Sequence, residues 1–312
     1  MKQSDLHDLL IKDFDYYKEG KNAQYIPALS QVDPKQLGIA LYNLQANELQ
    51  TCGIPEKSAN VRFAIESISK VPVLLLAIND NGLDGVFSHV DAEPTGFSFN
   101  SLLNMQIEQR KYPLNPFVNQ GAIVVNSLLK GKNSDERFAR ILDFMKEIFN
   151  DNDITLNEEV YHSESKTGDI NRSIAYYMKG NGIWNGDVED VLDSYFKQCS
   201  VNVNAIDLAN LGALLANGGV APWNGKRIVS EESATIVKSL MLTAGLYDES
   251  GDFSMRVGVP TKSGVGGGLM SAVPGKYGIG IFSPAIDKPG NSVAGMKLLH
   301  DVVQELNIDI FA

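Results

Sequence analysis

Strand-like segments lie towards both ends of this chain and helical periodicity fills its middle, and that arrangement restricts the possible folds more than any other feature. Leu37 to Leu44 and Leu49 to Cys52 read as strands about a turn near Ala46-Asn47. Strand patterns return only at Met255 to Val259, Leu269 to Val273 and Tyr277 to Phe282. Between them, helical spacing runs through Phe97 to Met105, Ala122 to Leu129, Asp135 to Phe149, Asn171 to Lys179, Val188 to Gln198 and Ala205 to Ala216. The last of these meets Asn217-Gly218-Gly219, a helix stop. Residues 4–20 suit an amphipathic N-terminal helix, and Ser292 to Leu306 a closing one. Such an order predicts one discontinuous α/β architecture in a single 1–312 unit. Residues 1–66 and 220–312 form an α/β subdomain, and 67–219 a mostly helical one inserted between its strands.

A boundary between subdomains makes a crevice, and two unusual clusters fall on it. Ser67-Ile68-Ser69-Lys70 sits where the first strands give way to helix; Lys262-Ser263-Gly264-Val265-Gly266-Gly267-Gly268 opens the returning sheet. A serine is a weak nucleophile until a base takes its proton, and a lysine one helical turn away can do so if burial lowers its pKa. The second cluster supplies a cation and a glycine-rich backbone able to bring N–H groups close to a carbonyl oxygen, as an oxyanion hole requires. The S-x-x-K pattern is not specific alone, since Ser127/Lys130, Ser163/Lys166 and Ser194/Lys197 repeat it. Only the first copy opens an apolar run, Val71 to Ile78, that could dehydrate its lysine. Pro72 is tolerated there in a first helical turn but would bend a helix already begun at Glu66. Lys166-Thr167-Gly168 imitates a β-lactamase lysine triad more literally than Lys262 does, but it lies among polar residues, whereas Lys262 leads into a plausible hairpin. These residues by themselves predict a serine acyl hydrolase with a lysine base.

Composition removes other classes. A net charge of −11 argues against nucleic acid or an anionic membrane as partner. Met1-Lys2-Gln3-Ser4-Asp5 has no apolar leader pattern and no apolar run is long enough to span a bilayer, so a cytoplasmic location is expected. Cys52 and Cys199 are isolated and read as buried thiols, not a disulfide or zinc site. With only His7, His89, His162 and His300, and neither H-E-x-x-H nor G-x-S-x-G, a metalloprotease or ordinary esterase elbow is disfavoured.

Further stretches extend the two clusters: Tyr25-Ile26-Pro27, Glu66 through Lys70, Asn115 through Ala122, Glu164 through Asn171, Asp193 through Phe196, Gly245 through Asp248, and Val259 through Val265. In order and spacing they resemble, almost end to end, the serine-dependent glutaminases of the β-lactamase and penicillin-binding-protein fold. Gln120 and Thr261 stand where that family usually has Ala, and Ile170 where Arg is frequent. The resemblance implies an antiparallel sheet with flanking helices plus a helical subdomain, and hydrolysis of L-glutamine to L-glutamate and ammonia without metal or cofactor. It makes Ser67 the nucleophile, Lys70 the base and Tyr247 a proton relay, with Lys262 in support. It places Tyr25, Asn119, Glu164, Asn171, Tyr195, Tyr247 and Val265 around glutamine, and a homodimer or homotetramer is expected. The residue types suit the substrate: Glu164 an α-ammonium, the Asn and Tyr side chains its other polar groups, and the N–H groups of Ser67 and Val265 an oxyanion. Taken singly, Asn119 and Asn171 would read as helix N-caps, Glu164 as a solvated charge and the tyrosines as core aromatics. A β-lactamase or D,D-peptidase-like hydrolase and a non-catalytic glutamine-binding protein are the alternatives.

Overall fold

The computed structural model describes residues 1–108 and 111–312. Its strands are β1 (Leu37–Asn43), β2 (Glu48–Ile54), β3 (Phe63–Ala64), β4 (Asn202–Val203), β5 (Thr261–Gly264), β6 (Gly268–Val273) and β7 (Tyr277–Phe282). Five form one antiparallel sheet in the order β2-β1-β7-β6-β5, so its strands come from both ends of the chain. The central pairing sets Ala40 of β1 against Gly280 of β7.

Period-two alternation sends Ile39, Leu41, Leu269, Ile279 and Ile281 into one core, shared with Leu6 and Leu10 of the Gln3–Phe14 helix and Leu298 and Val302 of the Val293–Leu306 helix. The opposite face carries Ala40, Gly278 and Gly280, and the Ala205–Ala216 helix lies directly on it. Small residues set that approach. A Cβ on Gly280 would stand 1.9 Å from the Ala205 carbonyl oxygen, and one on Gly278 2.1 Å from that of Ala209. Beyond this helix the Lys70–Phe87 helix, buried from Lys70 to Ile78, organises the largest core with Phe117, Phe149 and Leu211.

Two expected elements differ. Phe97 to Met105 is not one helix; helix runs only over Leu103–Glu108. Short polar side chains hold the preceding segment in turns instead: Thr95 Oγ1 accepts from the Phe97 N–H at 3.0 Å and Ser98 Oγ donates to Asn100 Oδ1 at 3.0 Å. Met255 to Val259 is not a strand. Ser250–Arg256 is helical, Gly258 turns the chain at φ +65°, and β5 begins only after Pro260.

Candidate active site

The two-residue strand β3 pairs with β4, and the Ile65 N–H donates to the Val201 carbonyl at 2.9 Å, fixing the chain just before Ser67. Because β4 follows the Val188–Cys199 helix, the same pairing brings Glu66 and Ser67 against that helix's C-terminal end. A 3₁₀ turn over Glu66–Ser69 leads into the Lys70–Phe87 helix. Pro72 is thus third in the α-helix, where no intrahelical N–H bond is lost, and its presence is accounted for. Glu66 adopts φ +52°, a left-handed conformation uncommon for a residue with a side chain. Ser67 is nearly buried and opens onto a cavity of about 330 Å³.

Lys70 is buried and donates from Nζ to the Phe117 carbonyl at 3.0 Å and to Asn119 Oδ1 at 2.7 Å. Among the described residues no hydrogen bond joins Nζ to Ser67 Oγ. Burial lowers the Lys70 pKa to about 8, against the pull of the nearby Cys199, Glu164 and Glu66. Asn115 shapes the segment facing it: its Oδ1 accepts from the N–H groups of Phe117 and Val118 at 2.9 and 3.1 Å. Asn119 begins the Asn119–Ser127 helix but is not its cap, a position held by Val118. Its Nδ2 donates to Asn171 Oδ1 at 2.9 Å, so both asparagines face the cavity from different helices. Asn171 lies inside the Asp169–Gly180 helix and is no cap either.

The glycine cluster forms the turn between β5 and β6, closed by the Gly267 N–H on the Gly264 carbonyl at 2.9 Å. That turn rests on the backbone leading to Ser67. A Cβ on Gly264 would come within 2.7 Å of the Ile65 carbonyl oxygen and one on Gly266 within 2.3 Å of that of Ala64. Absence of those carbons lets Val265 reach the cavity beside Ser67. Lys262 is fully buried and donates to the Gly245 and Ser263 carbonyls at 3.0 and 2.8 Å, with Nζ 4.4 Å from the centroid of the Tyr247 ring. Burial and then the charge of Lys70 push its pKa well down. Tyr247, at φ +58°, has a buried hydroxyl that faces Ser67 and Ser263 without closing a hydrogen bond. Burial raises that hydroxyl's pKa.

Glu164 projects from the Glu158–Thr167 helix with Oε2 buried and unpartnered. Burial raises its pKa to about 7, opposed by Glu66 and Lys70. Tyr195 is buried in the cavity wall, and Tyr25, 56% exposed, stands at the mouth. The cavity thus gathers seven predicted residues, Tyr25, Ser67, Asn119, Glu164, Asn171, Tyr195 and Val265, while Lys70, Lys262 and Tyr247 stand behind its wall. Glu66 and Cys199 also line it and received no role from the sequence. One carboxylate oxygen from each of Glu66 and Glu164 and the Cys199 sulfur lie within 4.8 Å of one another. This is the donor set of a metal site, but the Lys70 ammonium lies in the same field and opposes a second cation.

The serines of the other S-x-x-K copies do not line this cavity. Ser127 Oγ donates to Val124 of its own helix at 2.6 Å, Ser163 Oγ accepts from the Ala28 N–H at 3.5 Å, and Ser194 Oγ accepts from Asn126 Nδ2 at 3.2 Å. Thr167 and Gly168 do line the cavity, but the Thr167 hydroxyl donates to the Ser163 carbonyl at 2.9 Å. A larger groove of about 520 Å³ lies between the Gln3–Phe14 and Val293–Leu306 helices and holds none of the predicted residues.

A hydroxyl, a dehydrated amine, a second hydroxyl and a glycine turn around one cavity have the parts for acyl transfer. A protein-family model described as Glutaminase matches residues 20–311. Glutaminase 1 of Clostridium perfringens is 64% identical over 296 residues, covering 95% of each chain. A solved structure of a probable glutaminase, ybaS, is 37% identical with a TM-score of 0.91, covering 100% of this chain and 99% of that one. The probable glutaminase of Bacillus subtilis complexed with 6-diazo-5-oxo-L-norleucine is 35% identical with a TM-score of 0.89, covering 98% and 95%.

Proposed function

We propose, on the premise that this chain belongs to the glutaminase family, that Ser67 carries its hydrolysis of L-glutamine to L-glutamate and ammonia through a glutamyl-serine intermediate. Ser67 Oγ attacks the side-chain amide carbon as neutral Lys70 takes its proton. The Ser67 and Val265 N–H groups hold the oxyanion. Tyr247, its hydroxyl unpartnered between Ser67 and Ser263, passes a proton to the departing nitrogen, which leaves as ammonia. Water then adds to the ester carbonyl as it gives one proton back to Tyr247, the acyl–oxygen bond breaks as Lys70 returns its proton to Ser67, and glutamate leaves. Glu164 takes the α-ammonium of glutamine, Asn119, Asn171, Tyr195 and Tyr25 its remaining polar groups, and Lys262 braces Tyr247 and the glycine turn.

The observation that carries this reading is the buried Lys70, linked through Asn119 to Asn171 on the same cavity that Ser67 and Glu164 line. No helix among the described residues is long and apolar enough to cross a membrane. A cytoplasmic location and a homodimer or homotetramer belong to the proposal. The test is covalent labelling with 6-diazo-5-oxo-L-norleucine followed by peptide mass mapping. One adduct is expected, on the peptide holding Ser67, lost together with turnover in Ser67→Ala; an adduct on another residue would overturn the assignment.

A further inference from the structure

Glu66 has no part in the chemistry above, yet it is placed with unusual constraint. It directly precedes the nucleophile, is 3% exposed, and has a left-handed backbone at φ +52°. Such a conformation persists where surrounding structure over-determines it. The surroundings are the glycine turn, since a Cβ on Gly264 would lie 3.3 Å from the Glu66 Cβ. Held this way, the Glu66 carboxyl lines the cavity against that of Glu164. Each keeps one buried oxygen, Glu66 Oε1 and Glu164 Oε2, with no hydrogen-bond partner among the described residues.

Two carboxylates this close and this dry cannot both ionise. We propose that Glu66 is a positioning residue that works as a neutral carboxylic acid: it donates its proton to Glu164 and leaves the ammonium subsite with one negative charge. The groups facing the pair are Lys70 from the Lys70–Phe87 helix, Cys199 and Tyr195 from the Val188–Cys199 helix, Tyr25 from the N-terminal segment and Tyr247 behind the glycine turn. Lys70 is the one cation among them, and its ammonium is already engaged by Asn119 and Phe117. The direction of sharing follows from burial. Glu66 is the more enclosed of the two and is pushed well above the carboxylate range, first by desolvation and then by the charge of the facing Glu164. A proton offered from Glu66 favours the ionised form of Glu164. A protonated Glu66 also keeps a second anion away from the Ser67 carbonyl adduct, where negative charge develops.

The inference rests on Glu164 being the ammonium partner, and its test separates the two. Carboxyl-¹³C-glutamate-labelled protein is examined by isotope-edited infrared spectroscopy at neutral pH, beside Glu66→Gln with the same label. A protonated-carboxyl band is expected in the intact chain and absent in the variant. Kinetically, Glu66→Gln, a neutral donor of the same shape, should reduce the preference for glutamine over N-acetylglutamine no more than about threefold. It should also abolish the alkaline change in KM that accompanies loss of the Glu66 proton. If the intact chain lacks the band, or Glu66→Gln leaves it in place, the shared proton does not reside on Glu66. A preference that collapses tenfold or more in Glu66→Gln would make Glu66 a charged ligand and overturn the proposal. A band that disappears in Glu66→Gln, with a preference indifferent to Glu164, would instead leave the proton on Glu66 and remove Glu164 as the ammonium partner.

Discussion

Replacing Glu164 by Gln removes one charge with little change of shape, and the structure sets the size of the effect. Glu164 Oε2 is buried and has no hydrogen-bond partner among the described residues, so an arriving ammonium meets an open carboxylate oxygen. Two unit charges about 4 Å apart in a partly buried site attract by about 4 kcal/mol. Truncating one partner of a buried, hydrogen-bonded charge pair costs about 2–5 kcal/mol. Gln retains a neutral acceptor, which favours the lower half of that range, about 2–3 kcal/mol, or about 30- to 150-fold in kcat/KM. The assay is ammonia release from glutamine and from N-acetylglutamine, with circular dichroism to verify the fold. Preference for glutamine should collapse by that factor in Glu164→Gln, while the blocked substrate changes less than about threefold. The pH dependence has a defined sign. Because burial raises Glu164 to about 7, the free site gains its charge as pH rises through that value, and KM for glutamine should increase as pH falls below it. Equal slowing of both substrates, or an unchanged preference, would refute the reasoning.

Lys70 predicts a separate limb in kcat. With its pKa lowered to about 8, the neutral amine is depleted about tenfold per pH unit below that point, so kcat at saturating glutamine should fall steadily on the acid side; a flat kcat between pH 6 and pH 8 would exclude Lys70 as the base. Away from the cavity, Gly280→Ala would set a Cβ 1.9 Å from the Ala205 carbonyl oxygen and force the Ala205–Ala216 helix off the sheet. It should destabilise by about 1–3 kcal/mol or more in urea unfolding. Gly180→Ala, where a Cβ meets nothing within 4 Å, should be near neutral.

The parts of this fold that were legible are those whose signal is local. β1, β6 and β7 were legible as short apolar runs bounded by turn residues, the pattern of strands buried on both faces. The burial of Lys70 was legible because the apolar run that follows it predicts a dehydrated amine. Met255 to Val259 misled because Met255, 74% exposed, is an outward residue of a short helix, and a few apolar positions do not distinguish period two from period 3.6. Phe97 to Met105 misled because Thr95 and Ser101 accept from the backbone N–H groups of Phe97 and Leu103. Glu66 and Cys199 were invisible for a different reason. Their chemistry arises only when β3 pairs with β4 and sets them beside Glu164, a juxtaposition that no local pattern encodes.

Close backbone approach is what joins the legible and the hidden parts. The Lys262 to Gly268 cluster first read as a source of oxyanion N–H groups, and the structure gives its glycines a second task. Gly264 and Gly266 let the turn lie on the carbonyls of Ile65 and Ala64, and that contact holds the left-handed Glu66 and presents Ser67. Lys262 beneath the turn ties its backbone to Gly245 and faces the ring of Tyr247, the other left-handed residue of the site. A side chain added at Gly264 or Gly266 would therefore displace the Val265 turn, the backbone before Ser67 and Glu66 together. The two clusters that looked like halves of one site are coupled sterically before any substrate arrives, so the cost of ordering the acyl-transfer geometry falls on folding and not on the chemical step.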